Sequence, residues 1–290
     1  MRRSHARRCN LELWPPLLFI TLATLSVVLL PILVPMDPDA QSLANRLEGP
    51  SLAKPFGTDH LGRDIFSRIV YGGRFSLAIA AIATIATSTI GVCLGLLSAM
   101  KRGWIDEFLT RTNDMLLALP EIVVALLVIA IMGPGFASMI VAVTIMGWTP
   151  TARLVRSLSF EILSKDYVEV ARHLGCSKWF IIRHHVIPGL ASPVMAQTAL
   201  RFGLLLVGLG ALSYLGVGVQ PPQSDWGSML ADAQPYAARA PWGLLAPGAA
   251  IFIVTLSITL LGNAITHRTG RRDLLLIEAN SPDKKASHVQ

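Results

Sequence analysis

A chain of 290 residues in which 52% are hydrophobic, only 15% are charged and mean hydropathy is +0.55 carries more apolar surface than one soluble core can hide. Disordered, fibrous and nucleic-acid-binding classes are excluded together, because the basic residues behind the net charge of +7 stand between apolar runs, where charge asymmetry records membrane orientation. Cys9, Cys93 and Cys176 show no C-x-x-C spacing, so neither a disulfide framework nor a zinc site is expected.

Runs free of Asp, Glu, Lys and Arg mark the spans, each needing about 20 residues. Residues 1–12 are a basic N-terminus and 13–36 a first membrane helix. A signal peptide has the same outline, but this run is long and lacks a small-residue cleavage site. Residues 37–74 form a periplasmic segment, 75–266 the membrane core and 267–290 a tail. Within the core, Phe75 to Met100 is a second span, and its Gly91-x-x-x-Gly95 is a helix-packing pattern. The next run, Ile122 to Ala152, is broken by Gly133-Pro134-Gly135 and becomes a helical hairpin. Its first helix begins near Met115 and carries Glu121 in its cytoplasmic third. A fifth helix is entered from about Ser192, crosses Arg201 and runs to Ser224, with Gln220, Pro221 and Pro222 ending it at the outer face. Ala240 to His267 is the sixth. The fold class is all-α and polytopic. Most Lys and Arg fall in 1–12, 101–114, 153–190 and 267–290, which places both termini in the cytoplasm.

The cytoplasmic stretch 160–188 is too polar to span and well punctuated. Two short helices at a sharp angle are predicted. Asp166 caps the first with Glu169 at capping-box spacing, Gly175 takes the left-handed position at its end, Ser177 caps the second, and Pro188 stops it. Tyr167, Val170, Ala171 and Leu174 share one face of the first helix, which therefore lies on lipid or enters a groove.

The spacing of Glu169, Ala171, Gly175, His185, Ile187 and Pro188 resembles the EAA loop of ATP-binding-cassette importer permeases, with Val170 standing where that family usually has its first alanine. Gly57-Thr-Asp-His-Leu-Gly-Arg-Asp64 lacks the phosphate-binding pattern G-x-x-x-x-G-K-[ST] and resembles the G-T-D-x-x-G-R-D block of the second permease of dipeptide, oligopeptide and nickel importers. Ser213-Tyr-Leu-Gly-Val-Gly-Val-Gln-Pro-Pro222, followed by Trp226-Gly-Ser-Met-Leu230, is similar to a further block of that group. Asn263 replaces a usual acidic residue.

The resemblance implies a type I importer permease fold of about six membrane helices in a bacterial inner membrane. It implies half of a heterodimeric pore for peptides or nickel chelates: a homologous permease alongside, two ATP-binding subunits inside, and a substrate-binding protein outside, all surrounded by membrane lipid. Glu169, Ala171, Gly175, His185 and Pro188 would form the ATPase-coupling loop. ATP and Mg would sit on the partner subunits, with no cofactor and no catalytic residue in this chain. A secondary transporter and a membrane-embedded enzyme are the alternatives; neither inverted repeats nor H-E-x-x-H or G-x-S-x-G is present. Arg201, like Gln220, either serves the pathway or plays a structural part, for Arg201 by pairing with Glu121 or snorkelling. His173, His184 and His185 lack acidic or cysteine ligands at metal-binding spacing.

Overall fold

The computed structural model describes residues 37–280 and Leu29, with side chains described as far as Ile265. The expected first helix at 13–36 and the segment 1–12 therefore lie outside the described residues, as does the tail beyond 280, save for Leu29, which is helical. The described chain is helical, with one isolated bridge between Thr58 and Asp64. Among the described residues four helices are long and apolar enough to cross a membrane, and a pair bent by 90° is either a fifth, broken span or a re-entrant loop.

Helix α1 runs from Ile65 to Met100, starting ten residues before the expected boundary. Asp64 caps it, accepting the Ser67 N–H at 3.0 Å. The charge-free criterion missed this first part because Arg74, and before it Arg68, end the uncharged run, whereas in the fold both lie inside the helix, Arg74 over the Tyr71 ring at 5.4 Å and Arg68 among acids. Asp59 accepts hydrogen bonds from the backbone N–H of Leu61 and Arg63 at 2.8 and 2.9 Å, from Arg63 Nε at 2.6 Å and from Arg68 Nη1 at 2.7 Å. Arg68 also reaches Asp232 at 3.3 Å. Burial pushes the Asp59 carboxyl up, but the Arg63 backbone N–H, its side chain and Arg68 together outweigh this and hold it below the usual carboxylate range.

Helices α2 (Trp104–Leu117) and α3 (Glu121–Met132) meet at 90°. This corrects the expectation of one helix from near Met115. Pro120 has no N–H and disfavours helix at Leu119, so the chain turns there. Glu121 is thus the first residue of α3 rather than an interior one. With 12 residues, α3 is about 18 Å long and does not cross an apolar layer of about 30 Å alone. Gly133, with φ +83°, reverses the chain as predicted, and α4 (Phe136–Gly147) returns against α3. It runs on through Trp148 into α5 (Thr149–Leu163), past the expected end at Ala152.

The contact of α5 with α1 is close at two glycines. A Cβ at Gly91 would lie 2.6 Å from Thr151 Cβ and 2.8 Å from the Trp148 carbonyl oxygen. One at Gly95 would lie 2.7 Å from the Ala152 oxygen and 2.8 Å from Val155 Cβ. The small-residue pattern is a helix crossing, as its spacing predicts.

Helices α6 (Asp166–His173) and α7 (Lys178–Ile181) precede a π-helical turn, Ile182–Val186, and the long α8 (Ile187–Tyr214). Pro188 does not stop the helix: it sits in the first turn of α8. The π turn explains why, since Ile187 N–H bonds back to the Ile182 carbonyl and the winding loosens just before the residue without a donor. The expected fifth helix ends at Tyr214 rather than Ser224. Gly216, at φ +83°, donates to the Ser213 carbonyl, and Val217 to that of Leu212, a Schellman ending that the continuing apolar run concealed.

The chain then forms α9 (Trp226–Ala233) and α10 (Trp242–Asn280), the latter packed along α8. Asp225 caps α9 in a reciprocal box with Ser228 and accepts from Ser213 Oγ. Trp226 Nε1 donates to the Ile69 carbonyl at 2.9 Å, and its backbone N–H to Ser76 Oγ at 3.0 Å. The main core, built on Ile79, Ala83, Met139, Leu206, Leu209 and Trp226, lies between α1, α4, α8 and α9. Outward faces stay apolar, with Ile85 on α1, Ile131 on α3, and Leu245 and Phe252 on α10 well exposed.

Gly95→Val places a branched side chain against the Ala152 carbonyl. It is expected to destabilise by about 1–3 kcal/mol, read as a lower thermal midpoint in detergent, with Gly95→Ala intermediate. An unchanged midpoint would remove the crossing from the account. Because the folded pKa of Asp59 is lowered, its contribution is present above the unfolded carboxylate pKa and is lost as pH falls through the folded value. Asp59→Asn should cost about 3 kcal/mol at neutral pH, a deficit that shrinks as the medium is acidified below the carboxylate range. A pH-independent deficit would contradict the ion cluster.

Candidate functional site

Three places hold the predicted site residues: the exposed α6–α7 unit with its root at one end of the bundle, Arg201 inside it, and Gln220 in the loop after α8. The α6–α7 unit is anchored from beneath. Val168 is fully buried, and Ile181, Ile182, Val186 and Leu190 are buried along one ridge; the last three pack with Val155 and Ile162 of α5 in a second core. The two helices are joined by a Schellman turn in which Gly175 N–H donates to Arg172 O and Cys176 N–H to Ala171 O, each at 3.1 Å. Gly175 is left-handed at φ +83°, as expected, and Ser177 caps α7 by accepting the Phe180 N–H at 3.2 Å. Asp166 is corrected: it is the first residue of α6, and Lys165 holds the cap position with no side-chain bond. Its carboxylate still lies in the first turn, where it favours the positive helix end.

What this anchoring leaves outward is apolar. Tyr167, Val170 and Leu174 on α6 and Trp179 and Phe180 on α7 are all exposed, Leu174 at 79%. Ala171 is half-buried among them, and the Cβ direction at Gly175 opens onto empty space. Glu169 is on the surface, 3.9 Å from His173. His185 holds the unit together through a ring contact with Tyr167, centroids 5.5 Å apart, and His184 stacks on Phe180 at 4.2 Å. Pro188 is exposed two residues beyond the π turn. The five loop residues thus belong to one unit, though Glu169, Ala171 and Gly175 lie on its tip and His185 and Pro188 at its root. Among the described residues no group of three or more His, Cys, Asp or Glu side chains is arranged to hold a metal.

Arg201 is 7% exposed within α8. Its guanidinium lies beside Gly147, where a Cβ would come within 3.0 Å of Nη2, so the glycine leaves room for the cation. Glu121 at the start of α3 approaches Nη2 to 3.8 Å, the pairing that was one of the two structural readings of this arginine. Arg201 Nε is buried without a hydrogen-bond partner. Gln220 does not join it. The Gln220 amide donates to the carbonyls of Gly216 and Gly218 at 3.3 and 3.1 Å in the loop after α8, about 20 Å along the helix axis from Arg201.

Two features of the sites had no clear trace in the charge-run reading. The π turn has as its one signal a proline inside what proves to be helix. The buried Ser213–Asp225 pair joins residues that the expected long fifth helix would have kept apart. A Leu-Gly pair at 215–216, matching that at 174–175, marks the true helix end.

Residues 91–272 match the family described as binding-protein-dependent transport system inner membrane component. The chain is 36% identical over 249 residues to the dipeptide transport system permease protein DppC of Alkalihalophilus pseudofirmus, covering 86% of this chain and 82% of that one. It is 40% identical over 234 residues to the glutathione transport system permease protein GsiD of Pectobacterium atrosepticum, covering 80% and 78%. Its fold is shared with the MetNI methionine ABC transporter in inward-facing conformations, at TM-score 0.55 and 18% identity over 69% of this chain and 97% of that one. An amino acid ABC transporter crystallised with histidines matches at TM-score 0.55 and 19% identity, over 70% and 93%.

Charge removal tests the Arg201 pair. Glu121→Ala strands a buried cation and should lower the thermal midpoint more than Arg201→Met, which removes the charge and keeps much of the volume. The reverse order, measured in detergent on purified protein, would show that Glu121 is not the compensating group.

Proposed function

Because the chain belongs to the family of binding-protein-dependent transport system inner membrane components, we propose that it forms half of the pore of an ATP-driven importer and that the α6–α7 unit is the docking element for an ATPase subunit. The observation that supports this docking is the outward apolar face of Tyr167, Val170, Leu174, Trp179 and Phe180 on a unit whose opposite side is locked into the bundle. An amphipathic helix with its apolar face outward is the form used to fill a groove on a partner. A rigid root then converts a push on the tip into movement of α8. Ala171 keeps the contact close, Gly175 makes the turn, and Glu169 offers a carboxylate at the rim. His185 and Pro188 fix the root. Val170 adds bulk to the docking face.

In this reading ATP and Mg are held by two partner ATP-binding subunits, and this chain performs no covalent chemistry. A homologous permease covers part of the apolar outer surface, lipid the rest, and an external substrate-binding protein meets the Asp59 end. The α6–α7 end and both termini face the cytoplasm. ATP-driven closure of the partners biases a two-state bundle, which is what alternating access requires. The names of the relatives favour peptides as cargo over nickel or metal chelates.

The deciding measurement is ATP-dependent uptake by the full complex in proteoliposomes, comparing labelled peptides with free and chelated nickel. Leu174→Asp and Glu169→Ala should each reduce peptide uptake, Leu174→Asp by about tenfold or more, with the amount of assembled membrane core unchanged. Full uptake by Leu174→Asp would remove the α6–α7 face from the coupling path. Uptake without ATP would overturn the importer reading, and nickel uptake alone would overturn the peptide assignment.

A further inference from the structure

A cavity of about 520 Å³ opens between the end of α1, the end of α5 and the α6–α7 turn. Its wall carries Lys101 and Arg102, immediately after Met100, together with Arg172 of α6 and Lys178 of α7. Its floor is apolar, formed by residues such as Met100 and Ile181, and no carboxylate lines it among the described residues. Among the described residues none of the four cations makes an ion pair. The acids nearby are already engaged: Asp106 accepts two hydrogen bonds from Arg156 at 2.6 and 2.8 Å, and Glu161 faces Lys165. Arg102 lies over the Phe160 ring at 5.2 Å and shares the field of Asp106 with Arg156, so its charge is only partly compensated.

Four like charges converging on a concave, partly apolar space raise the local potential and attract an anion. The position narrows which anion. Lys101 follows the last residue of a membrane-crossing helix, and the exposed Leu97 and Met100 carry the apolar surface of that helix up to the cavity. Basic pockets at this boundary hold anionic headgroups, with the acyl chains along the neighbouring apolar helix. We propose that the cavity binds the phosphate headgroup of an anionic phospholipid and that the bound lipid braces the α6–α7 unit from below. The proposal rests on the reading of this end as the cytoplasmic boundary and adds a ligand to the docking element.

The test uses the whole transporter complex, exchanged into mild detergent with equal amounts of phosphatidylglycerol and phosphatidylcholine and weighed intact by native mass spectrometry. Wild type should retain phosphatidylglycerol preferentially. Lys101→Gln/Arg102→Gln/Lys178→Gln should lose that preference by about tenfold or more, while Lys101→Arg/Lys178→Arg keeps it. If the triple variant does not assemble, Arg172→Gln alone should show a partial loss. Equal retention by wild type and the neutralised variants overturns the proposal. Cys176 also lines the cavity and reports its occupancy. In a Cys9→Ser/Cys93→Ser background, phosphatidylglycerol should slow its reaction with a maleimide. Equal protection by inorganic phosphate, without acyl chains, would identify a soluble phosphate compound as the occupant and overturn the lipid assignment. Labelling of Cys176 by an impermeant maleimide from the outer side alone would overturn the orientation while leaving the lipid-retention result standing.

Discussion

Backbone hydrogen bonding inside an apolar layer is the constraint on which this structure depends. No solvent is available there, so each N–H and C=O must find its partner within the segment, and long uninterrupted helices are the outcome. Irregular backbone is then pushed to the ends of the bundle or kept helical by a compromise. The two Schellman endings, at Gly175 and Gly216, sit where helices stop. Pro188 is absorbed by a π turn, and Pro193 is carried inside α8. Even the buried hydroxyls of Thr84 and Thr87 are spent on carbonyls of their own helix, those of Ala80 and Ala83. The exposed α6–α7 unit follows from the same rule: it is where polar backbone is permitted and where a partner can reach it.

Features with a local cause were legible in the sequence. Gly175 and Ser177 specify a helix end and a helix start by their own conformational and hydrogen-bonding preferences, and the structure has both. Gly91 and Gly95 lie one turn apart and mark a crossing, and Gly133 marks a reversal. Features that depend on a distant residue were not legible. The first turns of α1 carry Arg68 as well as Arg74, and the partners of Arg68 are Asp59 and Asp232, the second far along the chain. Counting charges treats such an arginine as a reason to stop a helix.

Proline was the other source of error, and in opposite directions. At Pro120 the chain bends by 90° within a run expected to continue, while at Pro188 it continues where a stop was expected. The difference lies in what precedes each. Pro120 follows Leu119, which is outside any helix, whereas Pro188 follows a turn already wound to i→i+5. The exposed apolar face of α6 was readable from its period; that the face points away from the bundle was not, because only Val168 and the residues packed beside it decide which side is inside.

The π turn at Ile182–Val186 has an angular consequence. An α-helix advances by about 100° per residue, so a turn that holds one residue more than the α-helical count sets everything before it about 100° out of phase with α8. The α6–α7 unit is therefore aimed by that surplus residue: remove it, and the same side chains on the same scaffold would present Tyr167, Val170 and Leu174 around a different quarter of the bundle's end. Length in this segment acts as an azimuthal setting, independent of which residues make the outward apolar face.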